Sequence, residues 1–340
     1  MGLAAPPFVI AEMSGNHNQS LERAFEIVDA AARAGVAALK IQTYLPETMT
    51  LNSDKPDFRI LDPQSLWSGR SLFDLYGEAY TPWEWHEPIF NRCRERGIAA
   101  FSTPFDATSV EFLESIGCPF YKIASFENID IPLIKCVART QKPIIISTGM
   151  ATVAELDAAI QTIRGEGNDQ IVMLKCTSSY PASPEFSDVR TIPHMRDLFG
   201  CEVGLSDHTL GIGAAVAAIA LGASVVEKHF TLARADGGVD SAFSLEPNEM
   251  ADLVIETERA WLSLGKISYG PTPGDVKSLV FRRSIYVSQD IKAGETFTKD
   301  NIRVVRPGYG LPPRMYDEIL GRKAGTDLSP GTALKLHDLA

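Results

Sequence analysis

The chain has 340 residues, 45% of them hydrophobic, and a formal net charge of -11. Length and apolar content allow one large buried core plus a second, smaller domain, while the acidic balance excludes a nucleic-acid binder, which needs a basic face to displace counterions. Cys93, Cys118, Cys136, Cys176 and Cys201 have no paired spacing and read as reduced packing residues of a cytoplasmic protein; with no basic n-region before a long apolar run, and Ile212 to Leu221 too short to cross a bilayer, neither secretion nor membrane insertion is expected.

Short apolar runs alternate with helical patterns from residue 7 to about residue 265, the signature of repeated βα units and a parallel sheet. The runs are Phe8 to Met13, Ala37 to Gln42, Ile98 to Ser102, Phe120 to Ala124, Ile144 to Ser147, Ile171 to Cys176, Glu202 to Ser206 and Ser224 to His229. About eight such units predict a closed (β/α)8 TIM barrel. After the first run, Leu21 to Ala34 places Ala24, Ile27, Val28, Ala31 and Ala32 at helical spacing, with Gly35 ending the helix. The stretch from Tyr44 to about Pro82 is too long for an ordinary βα loop and dense in aromatic residues, which marks it as a carrier of specificity. Thr81 is a plausible N-cap there and Pro82 suits the first helical position, with Trp83 and Trp85 read as packing. Beyond Trp261, a Gly- and Pro-rich linker over 266–280 follows the barrel domain of 1–265 and leads to a small, mainly irregular β domain over 281–340.

In such a barrel, function collects at the carboxyl ends of the strands. There the chain places Glu12, then Lys40 and Gln42, Ser102 and Thr103, Lys122 and Ser125, Ser147 and Thr148, Thr177, Ser178 and Tyr180, then Ser206 with His208, and finally His229. Lys175 also closes its run. Lysines among hydroxyl donors suit a phosphate or carboxylate, because hydrogen bonds to a charged partner are roughly twice as strong as neutral ones. His208 and His229 end neighbouring strands, so both imidazoles could share one divalent ion such as manganese, magnesium or zinc. Two histidines do not close a structural zinc site, which leaves positions for substrate and for polarisation of a carbonyl oxygen. His17 is read as a loop residue, Lys228 as structural because strand alternation sets it opposite His229, and His86, His194 and His337 lie outside strand ends.

The pieces Ile10-Ala11-Glu12, Lys40-Ile41-Gln42-Thr43, Ser102-Thr103-Pro104-Phe105-Asp106, Lys122-Ile123-Ala124-Ser125, Ser147-Thr148-Gly149-Met150, Ser206-Asp207-His208 and Glu227-Lys228-His229 together resemble the sialic acid synthase family across nearly the whole chain. Ile291-Lys292-Ala293-Gly294-Glu295, Arg306-Pro307-Gly308-Tyr309-Gly310 and Leu320-Gly321-Arg322 resemble the antifreeze-like (SAF, β-clip) domain of those enzymes. Within the family, Leu66-Trp67-Ser68-Gly69, Leu72 to Tyr76, Thr81 to His86 and Cys176 to Pro181 are most similar to the pseudaminic acid branch.

The resemblance implies condensation of phosphoenolpyruvate with an open-chain acetamido sugar, here 2,4-diacetamido-2,4,6-trideoxy-altrose, to a nine-carbon 2-keto acid and phosphate. By matching motif positions, Lys40, Thr103, Lys122, Ser125, Ser147 and Ser206 would hold phosphoenolpyruvate, and His208 and His229 a divalent ion, manganese first, magnesium or cobalt after it. Glu12 would handle water or a proton, as base or orienting group. Gln42, Glu127, Tyr180 and Asp240 would face the sugar, Phe281 joins the substrate-binding set, and Arg306 would reach the N-acetyl group from a partner subunit in a domain-swapped homodimer. Ser178 is expected to border both substrates, and it departs from the Asn of sialic acid synthases. Three other readings stand beside this one: N-acetylneuraminate or legionaminate synthesis by the same mechanism; a metal-dependent barrel hydrolase, for which no further strand-end carboxylate set is visible; and a non-catalytic sugar- or ice-binding protein.

Overall fold

A computed structural model describes residues 2–340, which divide into two compact units, Met1–Gly265 and Lys266–Ala340. In the first unit, eight parallel strands close into a barrel in sequence order: β1 (Phe8–Glu12), β2 (Ala38–Thr43), β3 (Ala99–Pro104), β4 (Tyr121–Ile123), β5 (Ile144–Ser147), β6 (Ile171–Cys176), β7 (Glu202–Asp207) and β8 (Val225–His229). Both faces of these strands are covered, so they read as continuous apolar runs rich in Val and Ile, as in the buried Ile144-Ile145-Ile146 of β5. The last strand pairs with the first, and their register sets Glu12 against His229 and Ile10 against Glu227.

The helix after β1, Leu21–Ala34, follows its sequence pattern closely. The Ser20 side chain accepts from the Arg23 N–H at its start, and Gly35 ends it at φ 87°, where a side chain would be strained. Its inward stripe, including Ala24, Ile27, Val28 and Ala31, is buried in the barrel core. The segment between β2 and β3 is partly helical, with Pro46–Met49 and Leu72–Ala79 in helices and a short Arg59 to Ser71 bridge.

Its exit differs from the expected start of a helix. Pro82 caps a 3-10 turn, Trp83–Trp85, and the α-helix begins only at His86. Thr81 is no cap; it is buried, with Oγ1 3.3 Å from His17 Nε2, and His17 packs edge-on against Trp85. A local cap rule loses here to a buried polar contact between distant segments. Trp83 stacks on Phe112 with ring centroids 4.6 Å apart, which gives the tryptophan a packing role.

The second unit has one antiparallel pair, β9 (Ser284–Val287) and β10 (Ile302–Val305), around a small core that includes Ile285, Phe297, Ile302 and Leu334. Most of the remaining unit is irregular, joined by isolated bridges such as Ile291 to Leu328. Among the described residues no helix is long and apolar enough to cross a membrane, and all five cysteines are free.

Gly204 in β7 marks the tightest strand contact. A Cβ there would stand 2.3 Å from the Val225 carbonyl oxygen and 2.7 Å from Leu174 Cδ2. Gly204→Ala should therefore cost about 1–3 kcal/mol of stability through overpacking. Calorimetry should show a lower Tm for the variant, and an unchanged transition would contradict this account of β7.

Candidate active site

The carboxyl ends of β1, β2, β4 and β8 bring two lysines and two glutamates into one buried cluster. Lys40 Nζ lies 3.0 Å from Glu12 Oε2 and 3.2 Å from Glu227 Oε1, and the same Glu227 oxygen is 3.3 Å from Lys122 Nζ. All four residues are at most 4% exposed, so these ions sit where water cannot screen them. Lys40 also donates to Thr103 Oγ1 at 3.2 Å. Gln42 Nε2 donates to Glu12 Oε1 at 3.1 Å and to Ser14 Oγ at 3.0 Å.

The cluster divides its two carboxyls electrostatically. Burial pushes Glu12 up to about 7, against the pull of Lys40 and with further help from the nearby Glu227 charge. Burial also acts on Glu227, but Lys122 and Lys40 outweigh it and hold that carboxylate down at about 2. Lys40 loses to burial but gains more from Glu12 and Glu227 and is raised. Lys122 is lowered because burial outweighs Glu227. One carboxyl is thus a fixed anion and the other is poised to exchange a proton near neutrality.

Glu227 had no assigned role in the sequence, although alternation contains the signal. The rule that turns Lys228 away from His229 also turns Glu227, two residues back, toward it. Strand-end carboxylates therefore do exist here, contrary to the reading that set the barrel hydrolase aside; Glu227 Oε1 is engaged by two ammonium groups, while its Oε2 is buried with no hydrogen-bond partner. Lys175 is a second correction. It follows an inward-facing run in sequence but alternates with the inward Cys176; its Nζ turns back to the Cys176 carbonyl at 3.3 Å, away from the lysine cluster. Among the strand-end hydroxyls, Ser102 donates to the Ile41 carbonyl, Thr177 to the Phe186 carbonyl, and Thr148 accepts from the Cys176 N–H, so these three support the strands.

Next to the cluster, the His208 and His229 rings stand 5.3 Å apart. His208 Nδ1 is 2.9 Å from the Thr177 carbonyl; a carbonyl only accepts, so Nδ1 carries a proton, and although burial lowers the ring's pKa, Cys176 and this carbonyl outweigh it and raise it. His229 is buried, its Nδ1 has no hydrogen-bond partner, and burial, with His208 and the lysines nearby, holds its pKa well below the ordinary value. The two imidazoles, one already oriented by a backbone carbonyl, are the groups that would hold a divalent ion with open positions. Among the described residues no group of three or more His, Cys, Asp and Glu could hold a metal ion.

Hydroxyls complete the floor. Ser125 and Ser178 Oγ atoms lie 2.7 Å apart, and Ser147 Oγ is buried with no partner. Ser206, also buried, stands in register with Glu227. Asn128 holds the β5 end by donating to the Ser147 and Thr148 carbonyls at 3.0 and 2.8 Å. Gly149 is required beside it: at φ 47° its missing Cβ would come within 2.4 Å of Ser125 Cβ.

Above this floor opens a cavity of about 380 Å³ lined by Gln42, Ser125, Glu127, Ser178, Tyr180, His229 and Asp240. The β2–β3 insertion supplies much of the opposite wall, with Met49, Ile60, Trp67, Leu72, Leu75 and Tyr76, and Trp67 Nε1 is tied to the Val239 carbonyl at 3.0 Å. Sequence reasoning assigned specificity to this insertion without identifying which side chains face the site. Burial raises Glu127 to about 7 and also raises Asp240. Tyr180 packs on His208 with centroids 4.5 Å apart. Phe281 and Arg306 belong to the second unit; Phe281 is exposed at the end of a 3-10 turn and Arg306 directly follows β10.

Residues 27–269 match the NeuB family and residues 282–340 match the SAF domain. The chain is 45% identical over 331 residues to the pseudaminic acid synthase of Campylobacter jejuni, covering 97% of this chain and 96% of the relative. It is 43% identical to the pseudaminic acid synthase of Helicobacter pylori, covering 98% of each. Among solved structures, the N-acetylneuraminic acid synthetase of Leptospira borgpetersenii in complex with citrate superposes with a TM-score of 0.72 at 29% identity, covering 81% of this chain and 90% of that one.

Removing Glu227 should expose the tension in the cluster. Glu227→Ala leaves two buried ammonium groups without their shared counterion, and breaking a buried pair in this way costs about 3–5 kcal/mol. Calorimetry should record a clear fall in Tm that millimolar inorganic phosphate partly reverses; a Tm equal to the parent's would contradict the assigned role.

Proposed function

Since the chain belongs to the NeuB family, we propose that it condenses phosphoenolpyruvate with 2,4-diacetamido-2,4,6-trideoxy-altrose to give pseudaminic acid and phosphate, as the names of its relatives suggest. The observation that carries this reading is the buried Lys40, Lys122, Glu227 and Glu12 cluster at the strand ends beside two imidazoles, one of which, His229, lines the cavity with Gln42, the hydrogen-bond partner of Glu12. Lys40 and Lys122 meet the phosphate and carboxylate of the enol, aided by Thr103, Ser125, Ser147 and Ser206. Fixed cations in a dry site need no reorganisation as charge shifts during reaction. His208 and His229 would hold a divalent ion, manganese in preference to magnesium or cobalt, which supplies Lewis acidity at a carbonyl oxygen.

C3 of phosphoenolpyruvate attacks the sugar aldehyde carbon, and water adds to the electron-poor C2. Glu12 takes the water's proton, while Gln42, hydrogen-bonded to Glu12, keeps that carboxyl oriented. The C2–O bond to phosphate then breaks as the C2 hydroxyl gives its proton to the departing phosphate, and the proton held by Glu12 goes to the former aldehyde oxygen, so one phosphoenolpyruvate, one sugar and one water give the keto acid and inorganic phosphate. Gln42, Glu127, Tyr180 and Asp240 line the path of the sugar. The apolar wall of Ile60, Leu72 and Leu75 suits a 6-deoxy sugar carrying two acetamido methyls better than a fully hydroxylated chain. This supports the pseudaminic acceptor over N-acetylmannosamine; a legionaminate precursor shares the deoxy and acetamido groups and is the second reading.

The oligomer proposed is a domain-swapped homodimer in the cytoplasm, where Arg306 and Phe281 of one subunit's SAF domain complete the other subunit's barrel mouth and exclude bulk water. Truncation after residue 275 should then abolish phosphate release.

Phosphate release with phosphoenolpyruvate and each candidate sugar should favour the 2,4-diacetamido-trideoxy-altrose, and turnover of N-acetylmannosamine alone would defeat the assignment. Oxygen-18 placed between C2 and phosphorus should depart with inorganic phosphate. For Glu12, a base must be deprotonated, so with a pKa of about 7 the value of kcat/KM should rise with pH along an acid limb centred near that value. Glu12→Gln should lower kcat about 10²- to 10⁴-fold and erase that limb; a variant that keeps it assigns the proton to another group.

A further inference from the structure

Behind the two histidines, on the opposite side of the strand ends, lies an ion pair that the reaction does not use. Asp207 and Lys228 are register partners on β7 and β8, each directly adjacent in sequence to one of the histidines. Lys228 Nζ lies 2.6 Å from Asp207 Oδ2, with their side chains 0% and 2% exposed, and donates to the Thr209 carbonyl at 2.5 Å. Asp207 Oδ1 accepts from the Thr209 N–H at 2.9 Å. The turn around His208 is therefore bonded from both sides to the residue that precedes His229. The His208 carbonyl accepts from Ala182 N–H at 3.0 Å and the His229 carbonyl from Leu245 N–H at 2.8 Å, so the backbone of each histidine is pinned as well.

Fold stability alone does not account for this pair. Desolvating two charges is expensive, and well-packed apolar residues of the same volume are often as stabilising or more so. Alternation also keeps both side chains out of the cavity, so they touch no substrate. What the pair fixes is the relative position of two strand ends whose imidazoles, 5.3 Å apart, must aim at one point to share an ion with bonds of about 2 Å.

We propose that Asp207 and Lys228 are positioning residues, an ion-paired clamp that sets the spacing of His208 and His229 and thereby the affinity of the site for a divalent cation. The inference rests on the reading that these histidines hold such an ion. Outer groups that orient metal ligands typically contribute about 10- to 100-fold in affinity.

The test uses full-length protein, Mn²⁺ as probe and isothermal titration calorimetry beside thermal unfolding. Asp207→Leu combined with Lys228→Met removes both charges without leaving either unpaired. The expected result is a Tm close to the parent's with a Mn²⁺ dissociation constant raised about 10- to 100-fold, and with kcat recovered at saturating Mn²⁺. A double variant with parental Mn²⁺ affinity overturns the clamp, as does a kcat that saturating Mn²⁺ does not recover. If the double variant does not fold, Asp207→Asn, which keeps shape and loses charge, decides: several-fold weaker Mn²⁺ binding supports the clamp and parental binding overturns it. Failure of the parent itself to bind Mn²⁺ sinks the ion-site reading, and the clamp with it.

Discussion

Two ammonium groups buried side by side repel each other unless an anion stands between them, and Glu227 is that anion. Its Oε1 is shared by Lys40 and Lys122, whose fields keep Glu227 charged, while burial, helped by the Glu227 charge, pushes Glu12 to about 7. An incoming dianion with more negative charge than one carboxylate can take over part of the lysines' attention without moving them. Preorganised charge of this kind is the largest single source of stabilisation in many enzymes. The rest of the barrel mouth, hydroxyls and imidazoles included, is arranged around that fixed centre.

Most of this was legible from residue order because a parallel barrel delivers every strand end to one face. Lys40, Lys122, His208 and His229 are visible as polar breaks in apolar runs, and the apolar runs themselves are forced by burial on both faces. Glu227 and Lys175 show where that reading stops. Both lie inside or beside an apolar run, and only alternation counted back from a known inward residue separates them: two steps from His229 puts Glu227 in, one step from Cys176 puts Lys175 out. The wall of the cavity was less legible for a different reason. Ile60, Trp67, Leu72 and Leu75 come from an insertion with no barrel periodicity, and their facing depends on contacts to distant chain such as Trp67 to Val239. Thr81 illustrates the same limit, since its partner His17 is 64 residues away.

The cavity separates two tasks in space. Behind its polar inner lining of Gln42, Ser125, Ser178 and His229 lies the buried charged cluster, which suits an anion that must be held while bonds change. Its outer wall is aromatic and aliphatic, which suits the recognition of methyl-bearing groups by shape and apolar contact. The half-buried Glu127 and the buried Asp240 stand between, both carboxyls raised by desolvation. Substitutions in the wall can alter which sugar fits without disturbing the charged base, a division that lets one family serve several acceptors.

The seam where β8 meets β1 has a consequence for biogenesis. Lys40 and Lys122 are made early, but the carboxylate that bridges them comes only with residue 227, on the last strand in sequence. Until that strand inserts, Lys40 has Glu12 as its anion but Lys122 lacks Glu227, and His229 is absent. Pairing of β8 with β1 both closes the ring and supplies the anion that bridges the two lysines.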